Sequence, residues 1–255
     1  MEDELYGSYI RRESHPRSQR FIASWHNKMF SHADVPSFGG RGRLLEIGPG
    51  HGYIAMLCKQ HDIEYEFVDT SPAVVSKLSD MGFSGHLGMV GDVCTNHETY
   101  DFIWLSHVLE HSPTWLDARE LLLCLSKKLG VSGQLIIIGP DSQSWRREFY
   151  NCDATHGYPT SLRNVVQLID DVGMEYLVAS HHRNGRFDVL TRAIFFIICF
   201  VPHRLIDRII SPTRAKIADG PAYSWKAVFG WRQIFIKARK YEMSGVTSES
   251  KPTLH

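Results

Sequence analysis

The run Leu44-Leu45-Glu46-Ile47-Gly48-Pro49-Gly50-His51-Gly52-Tyr53 decides the fold. An apolar strand runs straight into three glycines at alternate positions, and a helical pattern follows. Glycine reaches backbone conformations that other residues avoid, so such a loop lets main chain come close to a bound nucleoside. A G-x-G-x-x-G fingerprint would carry its third glycine at position 53 and seat a pyrophosphate on the helix N-terminus. Position 53 is Tyr. The spacing E-x-G-x-G-x-G therefore reads as a site for a nucleoside with little or no phosphate. An ordinary strand-to-helix turn is the plainer reading, and the residues that follow separate the two.

Three further stretches arrive in order. Glu64-Tyr65-Glu66-Phe67-Val68-Asp69 reads as a second strand, with Asp69 at its end, 17 residues past Gly52. That distance is one helix plus one strand. A carboxylate there can accept from both hydroxyls of a ribose. It can also cap a helix, although Thr70-Ser71-Pro72 would serve without it. Gly91-Asp92-Val93 follows a third short strand and by itself reads as a Gly-Asp turn. Tyr100 to His111 then supplies a buried fourth strand over Phe102 to Leu105. A helix is predicted from about Pro113 to Leu129, with Leu116, Leu121, Leu122, Leu125 and Leu129 at helical spacing and Gly130 as its stop. Val131 to Gln134 turns the chain into Leu135 to Ile138, a fifth buried strand.

Taken together, residues 43–140 resemble the cofactor-binding half of class I S-adenosylmethionine-dependent methyltransferases. The resemblance implies an α/β, Rossmann-like architecture: a seven-stranded, mostly parallel sheet with helices on both faces. It implies that Gly48, Gly50 and Gly52 bring backbone to the methionine end and the ribose of S-adenosyl-L-methionine, with Glu46 positioning the loop or the cofactor amine. Asp69 and Thr70 would take the ribose, and Asp92 and Val93 the adenine edge. Ser106 and His107 would lie beside the sulfonium. An N-terminal segment would fold over the cofactor and bring Tyr6 and Tyr9 to it. A packed amphipathic helix around 17–29, with Phe21, Ile22, Trp25 and Met29 on one face, accounts for that segment equally well.

Residues 151–162 resemble a D-x-T-H…P…S-L pattern, followed by a helix ending near Asp171 and a Gly173 stop, in a branch of the family tied to polysaccharide and surface-glycan biosynthesis. Transfer of methyl to a hydroxyl needs a group to take the proton, and a histidine near its ordinary pKa can do so. His156 is the expected base, oriented by Asp153, and His107 is the competing one. Glu110 and His111 read as structural anchors of the loop after the fourth strand. The plainer reading of Asp153, Thr155 and His156 is that they tie down a loop. No metal ligand set is expected.

The five cysteines are scattered, without a C-x-x-C pair, which points to reduced thiols and a cytoplasmic protein. The N-terminus lacks the apolar core of a signal peptide. Charge is divided: 181–240 carries 12 Lys and Arg against 3 Asp and Glu, while 1–180 carries 15 against 23. Residues 174–182 and 232–240 read as the sixth and seventh strands. Between them lie nine consecutive apolar residues, Ala193 to Val201, too few for a bilayer span of about 20. The expected organisation is a cap at 1–42, a core at 43–186, an apolar and basic helical insertion at 187–230, the last strand at 231–242 and a disordered tail at 243–255. The insertion suits a substrate lid, peripheral membrane contact through 187–216, a homodimer interface, or a subdomain packed on itself. The expected partner is a small-molecule or glycan acceptor, lipid-linked in one version, and not nucleic acid. Two other readings stay open: a lipid-like or phenolic acceptor, and a non-catalytic scaffold.

Overall fold

The computed structural model describes residues 16–38, 42–95, 98–183 and 231–241. Tyr6, Tyr9, the 187–230 insertion and the 243–255 tail lie outside the described residues.

Helix α1 (Pro16–His32) precedes a short 3₁₀ turn (Val35–Phe38). Then β1 (Arg43–Ile47), α2 (Tyr53–Gln60), β2 (Glu64–Asp69), α3 (Pro72–Asp80), β3 (Ser84–Leu87), α4 (Val90–Val93) and β4 (Tyr100–Ser106) alternate. A 3₁₀ turn (Leu109–His111) leads to α5 (Trp115–Lys128), β5 (Leu129–Pro140), α6 (Ser142–Trp145), α7 (Glu148–Asn151), α8 (Leu162–Asp171), β6 (Met174–His182) and β7 (Gln233–Lys240). The sheet order is β3-β2-β1-β4-β5-β7-β6. Only β7 runs antiparallel to its neighbours. This is the α/β Rossmann-like, seven-stranded, mostly parallel sheet expected from the sequence.

Strand alternation divides the core into two layers. Leu45, Ile47, Ile103, Leu105, Leu135, Ile137, Ile234 and Ile236 point to the side covered by α5 and α8. Leu44, Phe102, Trp104, Ile136, Ile138 and Phe235 point to the other side, where α1, α2 and α3 pack. The central strands are buried on both faces, so they read as unbroken apolar runs. Helix α1 belongs to this packing. Trp25, Met29, Phe30 and Ala33 are buried against the sheet, and Lys237 Nζ donates to the Ala33 carbonyl at 2.9 Å.

Helix ends follow local chemistry. Thr114 and Asp117 form a capping box at α5, and Ser161 caps α8 by accepting from Asn164 N. Gly173, at φ +75°, ends α8 as predicted. Gly130 does not stop α5. The helix ends at Lys128, Leu129 already pairs with Tyr100, and 130–133 form a register shift inside a longer β5 than the apolar run alone suggested. A Cβ at Gly133 would lie 2.7 Å from the Tyr100 carbonyl oxygen, so the glycines there serve close backbone packing.

The thiol expectation is corrected. Cys94, just after α4, and Cys124 in α5 are joined by a disulfide, with Cα atoms 5.9 Å apart. Scattered spacing concealed the pair because α4 and α5 meet only through the fold. Among the described residues, Cys58, which is buried, and Cys152, which is exposed, are outside any disulfide. No helix of the described residues is long and apolar enough to cross a membrane.

Candidate active site

The first strand has β2 on one side and β4 on the other, and chains leave it in opposite directions. That reversal opens a crevice at the carboxyl ends of β1 and β4. Gly48, Gly50 and Gly52 line its floor at φ +66°, +51° and +78°, the left-handed region closed to most side chains. A Cβ at Gly52 would lie 2.5 Å from Leu78 Cδ2, so this glycine also lets α3 approach α2. A Cβ at Gly50 would meet nothing within 4 Å, which leaves open space over the middle of the loop.

Asp69 ends β2 and is 4% exposed. Its Oδ1 accepts from Ser71 N at 2.8 Å, while Oδ2 is buried without a hydrogen-bond partner. Burial pushes its pKa up, against the opposing pull of the Ser71, Gly50 and Thr70 main-chain N–H groups. A buried acceptor without a donor costs free energy, and a ribose hydroxyl would supply the donor. Ser106, at the end of β4, has a second such atom in its Oγ. Both atoms fit the nucleoside that the glycine loop implies.

Other expected residues sit differently. Glu46 is 2% exposed, on the layer that holds Tyr65, and accepts from Tyr65 Oη at 2.6 Å. Burial raises its pKa to about 8; the Tyr65 hydrogen bond opposes that shift, and Asp69 adds to it. Glu46 thus braces β1 against β2 beneath the loop. Asp92 is exposed, and its Oδ2 accepts from Met89 N at 2.9 Å, capping α4. A carboxylate has lone pairs beyond that one bond, so the cap leaves acceptor capacity. Thr70 is exposed next to Asp69. The Val93 side chain lies outside the described residues.

Beyond β4, His107 takes φ +58°, and its main-chain N–H donates to the Ile138 carbonyl. Both ring nitrogens are engaged, Nδ1 with Glu110 Oε1 and Nε2 with Gln233 Oε1, each at 3.0 Å. Glu110 has no exposed surface. Burial would raise its pKa, but the His107 hydrogen bond and the charges of His107 and His111 outweigh this and hold it below its ordinary value. The 153–158 loop closes over this turn, with Gly157 N and Tyr158 N both donating to the Glu110 carbonyl. A Cβ at Gly157 would lie 2.5 Å from the Ser112 carbonyl oxygen, so only glycine permits the approach.

His156 and His111 meet there with ring centroids 5.0 Å apart. His156 Nδ1 lies 2.5 Å from the Phe149 carbonyl oxygen, which can only accept. Nδ1 therefore carries the proton, and Nε2 keeps its lone pair. Asp153 does not orient His156 as the sequence suggested. Its Oδ1 accepts from Thr155 Oγ1 at 2.6 Å and from Thr155 N, and Thr155 Oγ1 in turn meets His111 Nδ1 at 2.7 Å. The single hydroxyl proton is spent on Asp153, so His111 donates from Nδ1 and keeps the lone pair on Nε2. Burial lowers the His111 pKa, with Glu110 opposing.

Sequence reasoning overlooked Gln233 and the Thr155 relay. Gln233 reaches His107 across 126 residues of chain, and nothing local announces it. Thr155 was visible inside D-x-T-H, but its partner, His111, lies 44 residues away. Two surface grooves lie elsewhere, one lined by Trp115, Arg119 and Asn164, the other by Gln143, Arg163 and Tyr176. Neither includes Glu46, Asp69 or Asp92.

Comparison with known proteins agrees with this geometry. No match is found among curated proteins. A SAM-dependent methyltransferase from Archaeoglobus fulgidus superposes with a TM-score of 0.58 at 22% identity, covering 91% of this chain and 99% of its own. The N-methyltransferase NodS from Bradyrhizobium japonicum, solved with S-adenosyl-L-homocysteine, gives 0.58 at 12% identity, covering 92% and 98%. At these identities the likeness is one of fold. The family model for the methyltransferase domain matches residues 14–179, well over half of the chain. With that match on the strands that carry the glycine loop and Asp69, the chain belongs to the methyltransferase-domain family.

Proposed function

We propose that the protein methylates a hydroxyl oxygen of a sugar or glycan precursor, with S-adenosyl-L-methionine as cofactor and His156 as general base. The observation that carries the cofactor part is the unpartnered, buried Asp69 Oδ2 beside three left-handed glycines. Asp69 holds the ribose, the Gly48–Gly52 loop carries backbone to the methionine end, and Asp92 with its acceptor capacity takes the adenine amino group. Ser106 and His107 close the methionine side. When bound, the cofactor supplies an electrophilic methyl group on a sulfonium.

The chain's own part is to place the acceptor oxygen and remove its proton. His156 Nε2 has the lone pair for this, fixed by the Nδ1 bond to Phe149 O. His107 is the weaker choice, because both of its nitrogens are held by Glu110 and Gln233. The sugar or glycan assignment rests on the resemblance of the 151–162 segment. A lipid-like or phenolic acceptor is the second reading, supported by the apolar Ala193 to Val201 run. Peripheral membrane contact or self-association through 187–216 completes the proposal.

A direct test measures S-adenosyl-L-homocysteine release with panels of hydroxylated sugars, phenols and lipid-linked sugars. Turnover with a sugar, and a loss of about 10²–10⁴ in kcat for His156→Gln with cofactor affinity retained, is the expected result. Full activity in His156→Gln would remove the base assignment.

A further inference from the structure

The loop after β4 and the 153–158 loop closing over it hold a set of groups that base catalysis alone does not use. One ligand atom each from Glu110, His111 and His156 lies within 4.8 Å of the other two. We propose that Glu110, His111 and His156 form a binding site for a divalent transition-metal ion, zinc by its ligand chemistry, with one coordination position left open.

Four observations carry this. Two imidazoles and one carboxylate are a ligand set that zinc adopts where its fourth position stays free. Glu110 Oε2 is buried in a residue with no exposed surface and lacks a hydrogen-bond partner, while Oε1 is taken by His107. An ionised oxygen left alone in the interior is costly, and a cation relieves that cost. Each histidine has its Nδ1 fixed by an oxygen, Phe149 O for His156 and Thr155 Oγ1 for His111, which leaves Nε2 as the lone pair. Ligating histidines are commonly held this way, through the far ring nitrogen. The surroundings are also built to bring these groups together. Gly157 allows the loop to close on the Ser112 carbonyl, and a Cβ at Gly139 would crowd Glu110 Oε2 at 3.3 Å.

Zinc bonds of about 2.0–2.1 Å draw tetrahedral ligands to roughly 3.3 Å of one another, so groups now within 4.8 Å still have to move together on binding. The site itself does not depend on the methyl-transfer reading. Assigning the open position to an oxygen of the methyl acceptor does rest on it. An ion on His156 Nε2 and a proton on the same atom exclude each other. In the metal-bound protein, therefore, the ion would lower the pKa of a coordinated acceptor hydroxyl and its proton would pass to solvent water, not to His156.

The test titrates untagged, full-length protein with Zn²⁺ and with Co²⁺, following heat and the visible absorption of cobalt. The expected result is uptake of one ion per chain with a visible band typical of low coordination. His111→Ala and His156→Ala should each weaken uptake at least about tenfold. Asp153→Asn, which loosens only the Thr155 relay, should weaken it by roughly tenfold, and the surface control His86→Ala should not change it. Circular dichroism and S-adenosyl-L-homocysteine binding check that each variant is folded. No stoichiometric uptake by wild type, or uptake unchanged in His111→Ala, would overturn the proposal. Cofactor binding without metal binding would remove the metal site and leave the methyltransferase reading intact. If metal binds but no acceptor turns over, the site stands and its catalytic use falls.

Discussion

Single residues in the crevice carry two kinds of cost, backbone strain relieved by glycine and the burial of ionisable groups, which either find partners or hold their protons. Glu46 shows the second kind most plainly. Its ordinary pKa of 4.5 rises to about 8 because it sits wholly inside the protein. Between those two values the unfolded chain has released the proton and the folded chain still holds it, so stability falls as pH rises through that window. A shift of this size in a buried group corresponds to a few kcal/mol, on the order of 3–5. Glu46→Gln cannot ionise. We expect its denaturation midpoint near pH 9 to exceed that of wild type, and the two to converge near pH 5. Parallel curves across that range would show that the carboxyl ionises without penalty.

The three glycines were legible in the sequence because a turn conformation is a local property. The environments of Glu46 and Asp92 were not. Whether a carboxylate at a strand end faces a ligand, a tyrosine on the next strand or its own helix cap depends on neighbours that only the fold supplies. His107 is the extreme case, since Gln233 comes from the far side of the 184–230 segment.

At the level of elements, β1, β2, β4, β6, β7, α1 and α5 fall within about three residues of the sequence reading, whereas α4, α6 and α7 were not read as helices and β5 starts six residues before Leu135. The sixth strand was placed at 174–182 and runs Met174–His182. Boundaries failed where no capping residue marks them, as between α5 and β5. Contacts between elements were the harder part. The Cys94–Cys124 link ties α4, which carries Asp92, to α5, and is closed by 30 residues of chain. Peptide mapping without reductant should recover it as a cross-linked pair. Cys124→Ser should lower stability by up to about 3–4 kcal/mol in the chain-entropy account. Recovery of both thiols fully alkylated from unreduced protein would contradict the link.

Across the whole molecule, the division of charge acquires a partial physical account. Of the 12 basic residues in 181–240, four lie in the last described strand and its approach; three tie strands or their ends together and Lys237 ties β7 to the end of α1. Arg232 pairs with Asp141 at 3.0 Å, Arg239 with Glu175 at 2.7 Å, Lys237 bonds Ala33 O, and Lys240 bonds Leu129 O. His181 Nε2 also reaches Asp141, at 3.2 Å. Asp141 thus gathers the ends of β5, β6 and β7 at the edge of the crevice. The Trp145 and Trp231 rings meet in a tilted pair with centroids 4.7 Å apart, and Trp145 Nε1 donates to Arg232 O.

The central claim is that the Gly48–Gly52 loop and Asp69 hold S-adenosyl-L-methionine. Calorimetric titration of wild type and Asp69→Ala with S-adenosyl-L-methionine and S-adenosyl-L-homocysteine tests it most directly. The account predicts micromolar, one-to-one binding to wild type, with a loss of at least about tenfold in folded Asp69→Ala, as expected for a ribose hydrogen-bonded to a charged group. Well-folded wild type that binds neither ligand, or Asp69→Ala that binds as tightly as wild type, would contradict it.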